Sequence, residues 1–236
     1  MQWIKRATGA FLTAILAIWL GIYATIPAAA EARVVYRYAS RDGQPKIALT
    51  FDDGPHPAYT PRILDILKQY GVPATFFAVG ENVEAYPEIV SRIQREGHEL
   101  GNHTFHHARI SEMNEAEIRE EILRCKRSIE KLTKESLHYF RPPEGVCDPR
   151  LKTICEELDM TIILWSVDTR DWAHTPREEI VKNVKENTKN GSIILMHDFI
   201  GKKSPTPDAL KIMIPMLREL GYEFVTVSQL LEAGKA

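Results

Sequence analysis

Only three cysteines occur in 236 residues, too few for the disulfide framework on which many small exported domains depend. Cys125 falls in the stripe Ile118, Ile122, Cys125, Ile129, Leu132, and Cys155 in the stripe Leu151, Ile154, Cys155, Leu158. At helical spacing both read as small core residues. Cys147 stands apart as a candidate exposed thiol, and a helix starting between it and Cys155 holds the two apart. An excess of basic charge is missing too: 30 Lys and Arg against 32 Asp and Glu leave a formal charge of −2, which excludes a nucleic-acid-binding role of the usual kind. There is no internal repeat and no low-complexity tract, so solenoids and long disordered linkers are excluded. What remains is a chain of 44% apolar residues, enough to bury one substantial core in one domain.

The N-terminus holds Lys5 and Arg6, then an uncharged apolar stretch over residues 7–27, then Ala28-Ala29-Ala30-Glu31-Ala32 with Ala-x-Ala cleavage patterns. This is the form of an export signal. At roughly 20 residues the stretch also suffices to span a bilayer if uncut, with the N-terminus held inside by its positive charge. Residues 1–30 are therefore expected to be a signal peptide or membrane anchor, placing the rest outside the cytoplasm, secreted or anchored, and making any membrane contact through this segment alone. Residues 31–45 read as a short polar leader, and residues 46–236 as a catalytic domain acting as a monomer.

Within that domain apolar runs alternate with amphipathic patterns. Seven strands are expected, at Lys46–Phe51, Ala74–Val79, Glu99–Asn102, His138–Arg141, Thr161–Val167, Ser192–His197 and Tyr222–Val227. Thr60-Pro61, Thr175-Pro176 and Thr206-Pro207 each pair an N-cap hydroxyl with a proline at the first helical position, and Glu178 would complete a capping box with Thr175. Gly71, Gly97 and Gly221 are placed to end helices. Regular alternation predicts an α/β fold of parallel strands, either an incomplete barrel or an open doubly wound sheet. In both, function gathers at the carboxyl ends of the strands.

Polar residues cluster there. Asp52 and Asp53 follow the first strand, His103 and His107 the third, Arg141 ends the fourth, Asp168 and Asp171 follow the fifth, and His197 and Asp198 end the sixth. Two adjacent carboxylates repel and need a cation or a proton between them. His103 and His107, at the i, i+4 spacing of a helical turn, add two imidazoles; one carboxylate with two histidines makes a divalent-metal set and leaves the other carboxylate free to act as a base.

Five short motifs in order, Thr50-Phe51-Asp52-Asp53-Gly54, His103-Thr104-x-x-His107, Arg141-x-Pro143-x-Gly145, Asp168-x-x-Asp171-Trp172 and Leu195-x-His197, resemble the polysaccharide deacetylase family, carbohydrate esterase family four. The resemblance spans about Lys46 to Leu231. It implies a distorted, incomplete (β/α) barrel that removes N-acetyl groups from a polymeric amino sugar. It further implies that Asp53, His103 and His107 hold one divalent metal, commonly zinc, with cobalt, manganese or nickel as alternatives. By the same resemblance Asp52 is the general base with Arg141 as its partner, His197 the general acid oriented by Asp171, and the backbone N–H of residue 144 a donor to the oxyanion. Pro143, Glu144, Trp172 and Leu195 then belong to the substrate groove.

His106 should point elsewhere, and Asp168 and Asp198 read as makers of turns. Glu144 departs from the family, which often has an aromatic residue there; the groove loses a stacking surface and gains negative charge. The expected substrate is peptidoglycan, with chitin oligomers, acetylxylan and poly-N-acetylglucosamine as alternatives. A hydrolase of small cyclic imides fits the export segment poorly. A carbohydrate-binding protein without activity should have lost ligands or the base, which this chain retains.

Overall fold

The computed structural model describes residues 33–235 apart from residues 200 and 202. The expected export segment lies outside the described residues; among those described, no helix is long and apolar enough to cross a membrane. Among the described residues nine short strands are present: β1 Val34–Val35, β2 Lys46–Asp52, β3 Thr75–Ala78, β4 Glu99–Asn102, β5 Tyr139–Phe140, β6 Thr161–Ile163, β7 Val167–Asp168, β8 Ile193–His197 and β9 Glu223–Phe224. Eight α-helices accompany them among the described residues: α1 Thr60–Tyr70, α2 Gly80–Ala85, α3 Pro87–Arg95, α4 Glu115–Thr133, α5 Pro149–Glu157, α6 Arg177–Asn187, α7 Thr206–Glu219 and α8 Val227–Ala233.

All strand pairs are parallel, in the order β1-β6-β5-β4-β3-β2-β8-β7, with β9 added at the start of β2. The expected strand over 161–167 is really two, and they lie near opposite ends of this order. Four residue steps reach at most about 14 Å, so the sheet must curl until its ends approach one another. The result is the incomplete barrel. The stretch read as a polar leader also belongs to it, since β1 pairs with β6 and Arg37 bridges Ser192.

Alternation along β2 explains how one run of residues serves both core and site. Ile47, Leu49 and Phe51 face the helices in the main core, while Ala48 joins Val35, Phe77, Ile163 and Ile193 in a smaller cluster closed below by Val227, Leu230 and Leu231 of α8. Thr50 and Asp52 share the parity of Ala48 and so point into the barrel.

Helix ends differ from expectation. None of Thr60, Thr175 and Thr206 caps its helix: α1 and α7 already include Thr60 and Thr206, and α6 begins after Pro176. Glu178 binds Arg177 and forms no capping box with Thr175. The capping boxes that do form are Asn114 with Glu117 on α4 and Thr226 with Gln229 on α8. Gly71, Gly97 and Gly221 have positive φ at the helix ends, as read.

Candidate active site

Register sets the centre of the site. Asp52, last in β2, lies beside His197, last in β8, as a Cα partner in adjacent strands. Asp52 is 3% exposed and meets its cation at once: Arg141 Nη1 donates to Asp52 Oδ1 at 2.7 Å and to Thr50 Oγ1 at 2.8 Å. Nε and Nη2 of the same guanidinium donate to the carbonyls of Ile163 and Leu164 at 3.0 and 3.2 Å, where β6 ends and the chain leaves for β7 at the far end of the sheet. Arg141 is 0% exposed, and Phe77 lies under its guanidinium at 4.1 Å. Burial alone pulls its basicity down, opposed by Asp52. So buried a cation needs partners for its donors, and two carbonyls, the Thr50 hydroxyl and the Asp52 carboxylate supply them.

Asp53 is one residue beyond the strand, at φ 75°, and its side chain takes a different direction. Its Oδ1 lies 3.4 Å from His103 Nε2 and 3.2 Å from His107 Nε2. Burial pushes the Asp53 carboxyl up, but the two imidazoles hold it well below the usual carboxylate range. His103 Nδ1 donates to the Arg141 carbonyl at 2.7 Å, which fixes the proton there and leaves Nε2 with a free lone pair. The two histidines do not share a helical turn as their spacing suggested. They sit in a loop after β4, with Thr104 at φ 65° and His107 at φ 53°.

These three side chains fit a divalent cation. Their ligand atoms lie within 4.8 Å of one another, and Asp53 Oδ1 is buried with no hydrogen-bond partner among the described residues. Two neutral imidazole nitrogens and one carboxylate oxygen are donors that suit a borderline metal.

Opposite them stands the second pair. His197 Nδ1 donates to Asp171 Oδ1 at 2.7 Å, and the His197 amide donates to Asp171 Oδ2 at 2.8 Å. Asp171 is held in turn by the Trp172 amide and by Thr206 Oγ1 at 2.6 Å. Burial lowers the His197 imidazole, yet Asp171, with Asp52 and Asp53, raises it to about 9.

One cavity of about 520 Å³ joins Asp52, Asp53, His103, His107 and His197, walled by Trp165, Trp172, Leu195, Asp168, Glu144, Gly145 and Pro142. Arg141 and Asp171 lie behind this lining. Pro143 is buried and Pro142 takes its place in the wall. Trp172 is 51% exposed at the rim. Trp165, which sequence reading passed over as part of a strand, faces Gly145, where a Cβ would come within 2.7 Å of the indole; the only signal for it was an aromatic residue after a buried strand. Glu144 lies 3.6 Å from Arg109, so its charge is partly balanced.

Asp168 makes a turn by accepting from the Arg170 amide at 2.8 Å and also lines the cavity. Asp198 is buried against Gly54 and bonded to Thr60, and burial raises it to about 7. His106 points away from the cavity to Glu121. Cys125, Cys147 and Cys155 are all free; Cys147 is half-buried against the main core and absent from the cavity wall, so the expected exposed thiol near the site is not found.

A family model described as polysaccharide deacetylase matches residues 39–163. A peptidoglycan-N-acetylglucosamine deacetylase of Bacillus cereus is 44% identical over 187 residues, covering 78% of this chain and 87% of the relative. Among solved structures, the Bc1960 peptidoglycan N-acetylglucosamine deacetylase superposes with a TM-score of 0.80 at 38% identity, over 86% of this chain and 94% of that one. A protein described as a carbohydrate esterase family four pseudoenzyme from Bacillus anthracis superposes with a TM-score of 0.78 at 31% identity, over 86% of this chain and 70% of that one. With the barrel, the ordered motifs and these matches in agreement, the chain belongs to the polysaccharide deacetylase family.

Proposed function

We propose that this chain is a metal-dependent N-deacetylase of peptidoglycan, hydrolysing the N-acetyl groups of its N-acetylglucosamine residues to acetate and free amine. The observation that carries the reading is one cavity with a base–cation pair, Asp52 and Arg141, on one side and an acid–carboxylate pair, His197 and Asp171, on the other, flanking Asp53, His103 and His107. A divalent cation held by those three residues, which we take to be zinc, supplies charge that polarises the acetyl carbonyl and acidifies water.

The chain's own groups do the rest. Asp52 accepts the proton of the water that attacks the acetyl carbon. Arg141 holds that carboxylate in place and balances its charge. The backbone N–H of Glu144, in the 143–145 turn at the cavity wall, donates to the oxygen on which negative charge develops. His197, kept protonated by Asp171, gives its proton to the amine nitrogen as the C–N bond breaks. Trp172 and Leu195 wall the acetyl group and exclude water. The apolar segment over residues 7–27 supports an extracytoplasmic site of action, where peptidoglycan lies.

Acetate release from purified peptidoglycan, chitin oligomers and acetylxylan tests this reading, with peptidoglycan expected to be the fastest. Faster release from chitin oligomers would move the substrate to free chitooligosaccharide. A silent sugar-binding protein is the rival of a different class, since a pseudoenzyme shares the fold. The complete set of ligands, base and acid speaks against it, and a protein that bound sugar but released no acetate from any of the three would restore it.

A further inference from the structure

We infer that Glu121 and His106 form a clamp that sets the metal affinity of the loop carrying His103 and His107; the inference rests on the metal-dependent reading above. Glu121 is a buried acid, 8% exposed, on the inward face of α4. One of its oxygens, Oε2, accepts from the amides of Phe105 and His106 at 3.0 and 2.9 Å. The other, Oε1, meets His106 Nδ1 at 2.6 Å. A single carboxylate thus binds two of the three amides between the ligand histidines, together with the His106 side chain.

The far side of the loop is tied down as firmly. Carbonyls of Thr104 and Phe105 accept from the amides of Gly80 and Glu81 at 3.0 and 2.9 Å. Phe105 packs against Gly80, where a Cβ would meet the ring at 2.4 Å. Arg124, one turn along α4, lies over the Phe105 ring at 3.5 Å from its centre and has Nη1 3.4 Å from His106 Nε2. The same Nε2 also lies 3.9 Å from Glu81 Oε1, so the ring is bracketed by charged groups while its short contact, through Nδ1, is to Glu121.

This bracing has a purpose that core stability alone does not explain. Thr104 and His107 are both held at positive φ, a region that costs a non-glycine residue free energy and persists only where surroundings impose it. Released from Glu121, the loop can relax and turn His107, the exposed ligand at the rim, away from Asp53. Glu121 and His106 touch neither metal nor substrate; they are positioning residues.

The test is the affinity of metal-free protein for Zn²⁺, measured by competition with a chromophoric chelator. Glu121→Gln keeps the size but loses the charge and one acceptor, and is expected to bind Zn²⁺ about 10- to 100-fold more weakly. His106→Ala keeps the bonds to both amides and should lose less. At saturating Zn²⁺, kcat should return to near the parent value in both. A purely structural role would lower the melting temperature of the metal-free variants and leave affinity unchanged in protein shown to be folded by circular dichroism; that result would overturn the clamp. Should Glu121→Gln not fold, His106→Ala, altered at a half-exposed side chain, decides the matter alone. Because Zn²⁺ binding needs no substrate, failure of the deacetylase reading would leave these affinities as expected.

Discussion

Two adjacent aspartates have different surroundings, and their roles should separate accordingly. Asp52 points into the barrel against Arg141, whereas Asp53 faces the two imidazoles. Asp52→Asn is expected to keep its metal and lose kcat by about 100-fold or more, and Asp53→Asn to lose the metal itself; equal metal content by elemental analysis would reverse the assignment. The proposed role of His197 as the acid can be tested in a pH profile. His197 is raised to about 9, so its proton is present below that pH and is lost above it, and kcat/KM should fall on the alkaline side. A cation on Asp53 offsets part of this rise, so the limb in the metal-loaded enzyme should lie between about 6.5 and about 9. Asp171→Asn removes the closest carboxylate and should move the limb to lower pH, slow the enzyme at neutrality and leave metal content alone. An unmoved limb would take Asp171 out of the mechanism. The same sign governs stability: the His197–Asp171 pair contributes fully below the ordinary histidine range and fades as pH climbs towards about 9.

At the scale of elements, strands and helix starts are shared between fold and site. Hydroxyls of Thr60 and Thr206, which a capping rule assigns to their helices, bind the buried Asp198 and Asp171 instead. A rule built on local chain geometry cannot see that choice, because the competing acceptors come from residues 138 and 35 positions away in the chain. The middle of β4 shows the same economy of space. Gly101 leaves room for the Phe77 ring, which a Cβ there would approach to 2.4 Å, and that ring lies under Arg141. Gly101→Ala should therefore cost about 1–3 kcal/mol by overpacking, read as a lower urea midpoint, and should lower kcat as well because the displaced ring supports the partner of Asp52. A stability loss with kcat unchanged would show that Phe77 does not position Arg141.

For the whole molecule, the decisive feature is a curled sheet whose interior is crossed by one side chain. Arg141, just after β5, binds the carbonyls of Ile163 and Leu164 at the end of β6 as well as Asp52 at the end of β2. Replacing it with leucine leaves Asp52 buried without its cation and two carbonyls without donors, and by the behaviour of broken buried pairs should cost about 3–5 kcal/mol. Urea unfolding of Arg141→Leu measures this directly. A cost under about 1 kcal/mol would show that water replaces the guanidinium and that the barrel interior does not depend on it.

Parallel α/β architecture, the strand that ends in two acids, the histidine set and the order of the five motifs were all legible in the chain, because periodicity, glycine at helix ends and local polar clusters are properties of neighbouring residues. The division of 161–168 into two strands near opposite ends of the sheet, the entry of β1 into it, and the left-handed loop that carries His103 and His107 were not. Nor was the use of Glu121, an ordinary inward position on an amphipathic helix until its three contacts with residues 105 and 106 are seen. Each of these depends on which distant groups meet once the sheet curls. Local sequence specifies how a segment bends and which face is apolar; only closure of the barrel decides what that face finds opposite it.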